Sequence, residues 1–302
     1  MSRRTESRTI LPIAVSNPRK VFWPAEGYTK LDLIEYYAAI FPKLSPYVRD
    51  RILSLERCPG GMNGKCFYQK ELPAGMPPDT PTKRIETPHG KRKSVNYVIG
   101  GALETQLALV NLGCIAVHLM AGRSSAPRQS DWVCFDIDPE SGKFSDAAQA
   151  AHQVKEALNV LKLNSFAKTS GSRGVHIMVP ICDRPDASEV LAFAEAVAAR
   201  VAAAHPKELT VAHSIAARRG RVYLDPFRNG FGQSVAAPYS VRRRLHAPIS
   251  TPLAWSELSP ELDPADFNLG NFLRRARRAG PWDDFFGTTQ SLRDAARLLA
   301  KL

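Results

Sequence analysis

The stretch "DWVCFDID" (131–138) reads as one buried strand, and the fold turns on it. Its apolar residues are β-branched or aromatic for the most part, as strands prefer. Asp136 and Asp138 interrupt the run. In a strand, residues i and i+2 share a face, so the two carboxylates project together while Ile137 turns into the core. Charged carboxylates are costly there unless something positive meets them. Two so close repel, and one is neutralised unless a cation lies between them. An all-oxygen pair of this kind suits Mg²⁺ or Mn²⁺. Taken alone, the pattern is equally a strand end where two carboxylates face water.

The neighbouring segments give this strand its setting. "SDAAQAAHQVKEALNVLKL" (145–163) has the period of an amphipathic helix, with Ser145 as its cap. "SFAKTSGSRGVHIMVPI" (165–181) reads as two strands joined by a Gly/Ser turn, and "DASEVLAFAEAVAARVAAAHP" (186–206) as a second helix stopped by Pro206. "GRVYLDPF" (220–227) is a further strand. The order strand–helix–strand–strand–helix–strand predicts a split βαβ sheet with helices on one face, an α/β (α+β) architecture.

Upstream, "YTKLDLIEYYAAIFPKL" (28–44) is a helix capped at Thr29, with Leu33, Tyr36, Tyr37 and Ile40 on one face. "RILSLER" (51–57) is strand-like and is followed by the glycine loop "CPGGMNGK" (58–65). "PHGKRKSVNYVI" (88–99) is expected to be a hairpin, and "GALETQLALVNLGCIAVHLM" (101–120) a helix, a break at Gly113 and a strand. There is no internal repeat and no long flexible linker. The expectation is a flexible basic tail (1–15) and one domain (16–302) of two packed lobes, roughly 16–125 and 126–302. "QSLRDAARLLAKL" (290–302) closes the chain as a helix. "GPWDDFFGTTQ" (280–290) carries no chemical motif and is expected to pack or to act as a lid.

Composition narrows the partners. Among 302 residues, 41 Lys and Arg stand against 29 Asp and Glu, a net charge of +12. Such a surface attracts polyanions over about a Debye length, and nucleic acid leads them. No run approaches the ~18 apolar residues of a membrane span. "MSRRTESRTILP" (1–12) lacks the apolar core of a secretory signal, so a cytoplasmic protein is the default. The five cysteines are scattered without a C-x-x-C pair, which speaks against zinc or a disulfide framework and for small buried thiols in a reducing compartment.

Three further features join the aspartate pair. "GRVYLDPFRNG" (220–230) ends a strand at Asp225, which becomes a third carboxylate if that strand lies beside the first. Three carboxylates from two strand ends suit two-metal phosphoryl transfer. "TSGSRGVHI" (169–177) offers a turn at Ser170, Gly171 and Ser172 whose backbone N–H groups suit phosphate oxygens, then Arg173 and His176. "APYSVRRR" (237–244) supplies Arg242, Arg243 and Arg244, and arginine binds phosphate bidentately. Each piece alone has a bland reading as well: a strand-ending turn, a core histidine, a solvated loop.

In this order, "FDIDP", "TSGSRGVH", "RVYLDPFRNG" and "APYSVR" resemble the polymerase domain of bacterial ligase D, in the archaeo-eukaryotic primase superfamily. "RKVFWPAEGYTKLDLIEYY", "RCPGGMNGKCFYQK" and "LVNLGCIAVH" are similar to the family's upstream segments, so the resemblance runs over roughly residues 16–252. It implies a primase-polymerase fold, an RRM-like split βαβ catalytic sheet plus an N-terminal α/β lobe. By position it implies that Asp136, Asp138 and Asp225 hold two divalent metals, Mn²⁺ or Mg²⁺. Ser170, Ser172, Arg173, His176, Arg228 and Arg242 match nucleotide-binding positions. Lys20 and Lys30 match a pair that holds the 5′-phosphate of downstream DNA, Phe67 and Tyr68 an aromatic loop, and His118 a histidine near the primer terminus. The aromatic pair departs from the family's frequent Phe-Phe, and "LMAGR" follows His118 where a proline or aromatic is frequent.

The implied activity is template-directed addition of NTPs or dNTPs to a primer 3′-OH at gaps or double-strand-break ends, in non-homologous end joining, with a preference for ribonucleotides. The implied partners are such DNA, the end-binding protein Ku and a ligase, and binding to DNA would place the protein at the nucleoid. A de novo primase and a non-catalytic DNA-end-binding module are the alternatives. A ligase module would not fit beside this domain in 302 residues, so the expectation is a free-standing polymerase or one domain of a larger protein, with the start at Met1 favouring the former.

Overall fold

A computed structural model describes residues 12–86 and 93–302. In chain order its main elements begin with α1 (Lys30–Val48), β1 (Arg51–Arg57), β2 (Phe67–Gln69), α2 (Leu103–Asn111), β3 (Cys114–Arg123) and β4 (Ala126–Ser130). The middle of the chain forms β5 (Trp132–Pro139), α3 (Phe144–Val160), β6 (Phe166–Thr169), β7 (Val175–Pro180), α4 (Ala187–Ala204), β8 (Leu209–Thr210) and β9 (Val222–Asp225). Then come β10 (Val235–Ala236), β11 (Pro252–Leu253) and α5 (Leu292–Leu299).

The strand 131–138 lands at the centre of a six-stranded sheet ordered β8-β9-β5-β7-β6-β11. β5 is flanked by β9 and β7, both antiparallel. The split βαβ arrangement expected from the element order is therefore present. Alternation along β5 sorts its side chains. Val133, Phe135 and Ile137 face α3 and α4 and join a core that includes Val154, Leu158, Val190 and Val197. Trp132 and Cys134 point the other way, into the core of the N-terminal sheet. Burying each such aliphatic side chain stabilises the fold by about 1.5–3 kcal/mol. A one-residue slip of β5 would put Asp136 and Asp138 under the helices, so the register is tightly set.

The second sheet, ordered β10-β3-β1-β2 with β4 on β3, packs with α1 and α2. Thr29 caps α1 as expected, in a capping box with Asp32. The helix runs on to Val48 through Pro42 and Pro46, because Leu44, Tyr47 and Val48 bury beyond the first proline. The expected cap of α3 is corrected. That helix starts at Phe144, Lys143 occupies the cap position, and no side chain caps it. Phe144 packs on the helix-side core, which draws the first turn back past Ser145.

The reading of the cysteines is also corrected. Cys58 and Cys66 form a disulfide, with Cα atoms 4.3 Å apart. The reversal through Gly60, Gly61 and Gly64 brings together two residues whose eight-residue spacing matches no standard motif. Cys114 and Cys134 are buried free thiols, as expected, whereas Cys182 is exposed.

A hairpin pairs Thr82–Glu86 with Ser94–Val98, so its first strand lies before the expected stretch 88–99; residues 87–92 lie outside the described residues. Most of the expected tail also lies outside them, but Ile13 and Val15 pack against the core and Asn111 bonds Ala14 and Ser16. "GPWDDFFGTTQ" proves to be packing. Trp282 and Phe285 stack at 5.0 Å and 13°, Trp282 Nε1 donates to Ala167 O of β6, and Tyr47 of α1 donates to Trp282 O. Among the described residues no helix is long and apolar enough to cross a membrane.

Candidate active site

The register of the large sheet writes the site as one rung. Asp225 of β9 lies opposite Asp136 of β5, Asp136 opposite His176 of β7, and His176 opposite Lys168 of β6. Cross-strand neighbours share a face, so four polar side chains line up beside Asp138 on the face away from α3 and α4. His176 Nε2 lies 3.3 Å from Asp136 Oδ1. Arg228 Nε lies 3.0 Å from Asp136 Oδ2 and 3.3 Å from Asp225 Oδ2. Lys168, fully buried, reaches His176 Nδ1 at 2.8 Å and donates to Ser250 Oγ at 2.6 Å.

These contacts set the charges. Burial works against the Asp136 carboxylate, yet the His176 N–H and the Arg228 guanidinium hold it ionised, well below the usual carboxylate range. Burial and the adjacent Asp136 push Asp138 up to about 7. Burial also raises Asp225. Burial and Lys168 push His176 down to about 4, so its ring is neutral near pH 7. Lys168, itself pushed down to about 7 by burial, donates a hydrogen bond to Nδ1, and the neutral ring's one proton is left on Nε2, facing Asp136.

β9 ends at Asp225, and the chain turns away at Pro226. Asn229 then replaces the missing ladder: its Oδ1 accepts from Cys134 N at 2.8 Å and its Nδ2 donates to Cys134 O at 2.7 Å. This buried amide anchors the 3₁₀ turn Phe227–Asn229 to β5, two residues before Asp136, and so holds Arg228 in place.

A cavity of about 300 Å³ opens over this rung, lined by Asp136, His176, Arg228 and Arg242 from one side and Tyr68 and His118 from the other. Arg242 Nη1 donates to Ser170 O at 2.7 Å, while its Nε is buried with no partner. Tyr68 meets the His118 ring edge-on at 5.4 Å. Burial, together with the positive charge of Arg242, holds His118 neutral.

The remaining expected residues fall elsewhere. Ser170 shapes the turn rather than lining the cavity: its Oγ accepts from Ser172 N and Gly174 N, both at 3.2 Å, so those amides are spent within the turn. A Cβ on Gly171 would sit 2.4 Å from Arg242, and one on Gly174 2.4 Å from Ile137 O, so only glycine lets this turn lie on β5 and Arg242. Ser172 and Arg173 line a separate hollow at the start of α3. Phe67, the strand neighbour of Tyr68, points to the opposite face, toward Arg57. Lys20 and Lys30 are close together but are not among the cavity's lining residues. Lys30 is buried, and its Nζ is held by Asn111 O, Asn111 Oδ1 and Ser16 Oγ.

The chain matches the family described as "LigD, primase-polymerase domain" over residues 29–282. The chain belongs to that family. It is 29% identical to the multifunctional non-homologous end joining protein LigD of Mycolicibacterium smegmatis, over 94% of this chain and 39% of the relative. Against the Pseudomonas aeruginosa protein of that name the identity is 29%, over 94% of this chain and 34% of the relative. With the bifunctional LigD of Bacillus subtilis it is 27%, over 90% and 44%. The chain thus spans less than half the length of these relatives. The polymerase domain of Mycobacterium tuberculosis ligase D, solved in complex with DNA, superposes with a TM-score of 0.85 at 26% identity, covering 91% of this chain and 98% of that one. The fold expected from the sequence, a mixed α/β primase-polymerase domain, is borne out.

Within this LigD-type domain, sequence reasoning missed Lys168, Asn229, Glu56 and Lys70, the last of which also lines the central cavity. Lys168 directly precedes the "TSGSRGVH" motif, and its place opposite a strand histidine was the one available signal. Glu56 ion-pairs with Arg243, the residue after Arg242, at 3.0 Å and lies 4.0 Å from His118 Nε2. Nothing in "RILSLER" distinguishes it from a solvated strand residue. Among the described residues no three acidic, histidine or cysteine side chains converge as a metal-ligating group; the Arg228 guanidinium lies between Asp136 and Asp225 instead. The donor chemistry nevertheless fits a hard divalent cation. The carboxylates are all-oxygen donors, and the proton that burial and the adjacent Asp136 place on Asp138 is what such a cation displaces.

Proposed function

We propose that this domain is a template-directed nucleotidyltransferase that adds NTPs or dNTPs to a primer 3′-OH at DNA gaps or break ends. The observation that carries the reading is the single rung Asp225–Asp136–His176–Lys168, set beneath a cavity whose other wall holds Tyr68 and His118 and whose near wall adds Arg242. Asp136, Asp138 and Asp225 would hold two divalent ions, Mn²⁺ or Mg²⁺. Bound there, such ions lower the pKa of the attacking hydroxyl and neutralise the leaving pyrophosphate.

The chain's own residues do the rest. Arg242, with one buried N–H unpartnered, binds the triphosphate. Arg228, which lies 3.0 Å from Asp136 and 3.3 Å from Asp225, would add its charge to the phosphate side if a metal took over those carboxylates. His176 keeps its proton on Nε2, fixed by Lys168, and so donates to an oxygen at the rung rather than accepting a proton. Tyr68 offers a face for base stacking, and His118 a neutral ring beside the primer end. The exposed Lys20 meets the downstream 5′-phosphate, with the buried Lys30 supporting its potential from below.

Ribonucleotide preference, a place in non-homologous end joining, action alongside Ku and a ligase, and work at the nucleoid are proposed from the named relatives and the family. One observation favours a second reading. Arg228 already neutralises Asp136 and Asp225, as it would in a module that binds DNA ends without catalysis.

The two readings part in one assay. The wild-type protein, a gapped duplex with a downstream 5′-phosphate, Mn²⁺ and each NTP should give single-nucleotide extension, and Asp136→Ala should abolish it. No extension by the wild type favours the binding module. Extension undiminished in the variant removes the site assignment.

A further inference from the structure

A second concavity, of about 780 Å³, is more than twice the volume of the central cavity, and its lining is basic. Lys43, Arg274, Arg275 and Arg278 line it, against Glu257 and Asp266. The acids nearby are mostly spent. Both oxygens of Glu257 are held by Arg275, at 2.6 and 2.7 Å. Asp283 accepts from Gly280 N at 2.8 Å and lies 3.7 Å from Lys43. Arg275 also lies over the Phe267 ring at 5.0 Å and is a fixed wall. Arg274, Arg277 and Arg278 are exposed, and among the described residues none of them has a carboxylate within ion-pair distance.

The cluster of Arg274, Arg277 and Arg278 repels itself, and no ion pair among the described residues uses its charge. Its partner is therefore external and anionic. Arginine forks suit phosphate oxygens, and a concavity of this size with several separate cations suits repeated phosphates better than a single ion. Charge complementarity points to the polyanion that the central cavity serves. Tyr239 lines this concavity and Arg242 lines the central one. Three residues of chain span at most roughly 11 Å, so one short segment contributes to both linings.

We infer that Arg274 and Arg278 bind the phosphate backbone of the nucleic-acid strand served by the central cavity, as a second contact without sequence preference. This rests on the reading of DNA as the substrate.

The test measures fluorescence anisotropy of a labelled gapped duplex across a NaCl series, for wild type and for Arg274→Ala/Arg278→Ala. A glutamine pair at the same positions, which keeps most of each stem, serves if the alanine pair melts early. Loss of two phosphate contacts should lower the slope of log K against log salt by about 1.8, and weaken binding at 0.1 M salt by roughly tenfold or more. An unchanged slope and affinity, in a variant that melts like wild type, overturns the inference while leaving the polymerase reading intact. A wild-type protein that does not bind the duplex overturns both.

Discussion

Asp138 is the residue whose protonation reports most directly on the site. Asp136 has a hydrogen bond from His176 and an ion pair with Arg228, whereas burial and the charge of Asp136 push Asp138 up to about 7. An unfolded aspartate titrates near 3.9, so between about pH 4 and 7 the folded state binds the extra proton. Stability of the metal-free protein must then fall as pH rises through that window. Asp138→Asn removes the effect. In chelator-treated buffer the variant should gain on wild type as pH rises, by on the order of 1 kcal/mol at pH 7.5 after discounting for the solvent that reaches this side chain. Excess Mn²⁺ should reverse the ordering. Thermal melts at several pH values decide it, and parallel curves for the two proteins would remove the idea that Asp138 carries the strain.

At the scale of elements, the chain builds the site by ending strands and fastening the segments beyond them. Asn229 does this after β9, and Asp183 does it for α5. Asp183 accepts from Leu292 N and Arg293 N, both at 3.1 Å, and from Ser291 Oγ at 3.0 Å. Burial alone would raise its pKa, and these bonds outweigh that and lower it. Asp183→Ala should therefore cost about 1–2 kcal/mol, the worth of a strong helix cap. That stability is complete above the unfolded pKa and is lost as pH falls through the lower folded one, so wild type and variant should converge in acid. Urea unfolding at pH 7 and pH 3 checks both; an equal gap at the two values refutes the capping account. Such long-range fastenings are what the sequence hid. Local patterns located β5, both helices of the split βαβ unit, and the three aspartates, because alternation and helical period are written in neighbouring residues. The disulfide Cys58–Cys66, the start of α3 at Phe144, the outward Phe67 and the sequestered Lys30 depend on which distant side chain arrives. Spacing along the chain carries no sign of that.

For the whole molecule, the two cores behave as one only if their junction holds. Trp132, Cys134 and Met178 of the six-stranded sheet already belong to the N-terminal core. The polar bolt through that junction is Arg51, which has no exposed surface. Its Nε donates to Tyr47 O at 3.0 Å, its Nη1 to Met120 O at 3.2 Å, and its Nη2 to both Asp131 oxygens at 2.5 and 2.7 Å. The guanidinium lies 3.5 Å from the centre of the Trp132 ring. One side chain thus ties α1, β3 and the entry to β5, the strand that carries Asp136. Burial pushes its pKa down to about 9, so it stays charged near pH 7. Arg51→Met would leave the carbonyls of Tyr47 and Met120 without this donor and Asp131 with Arg123 alone, at 2.7 Å. The loss should be about 3–5 kcal/mol, as when one member of a buried ion pair is removed. Arg51→Lys should recover only part of it, since an ammonium cannot satisfy carbonyls and a bidentate carboxylate from one plane. Denaturant unfolding followed by tryptophan fluorescence reads the effect, with Trp132 a probe at the junction itself. Wild type should unfold in one transition. A loss under about 1 kcal/mol in Arg51→Met, against the roughly 3–5 expected for a buried pair, would mean that apolar packing alone holds the six-stranded sheet to its partner.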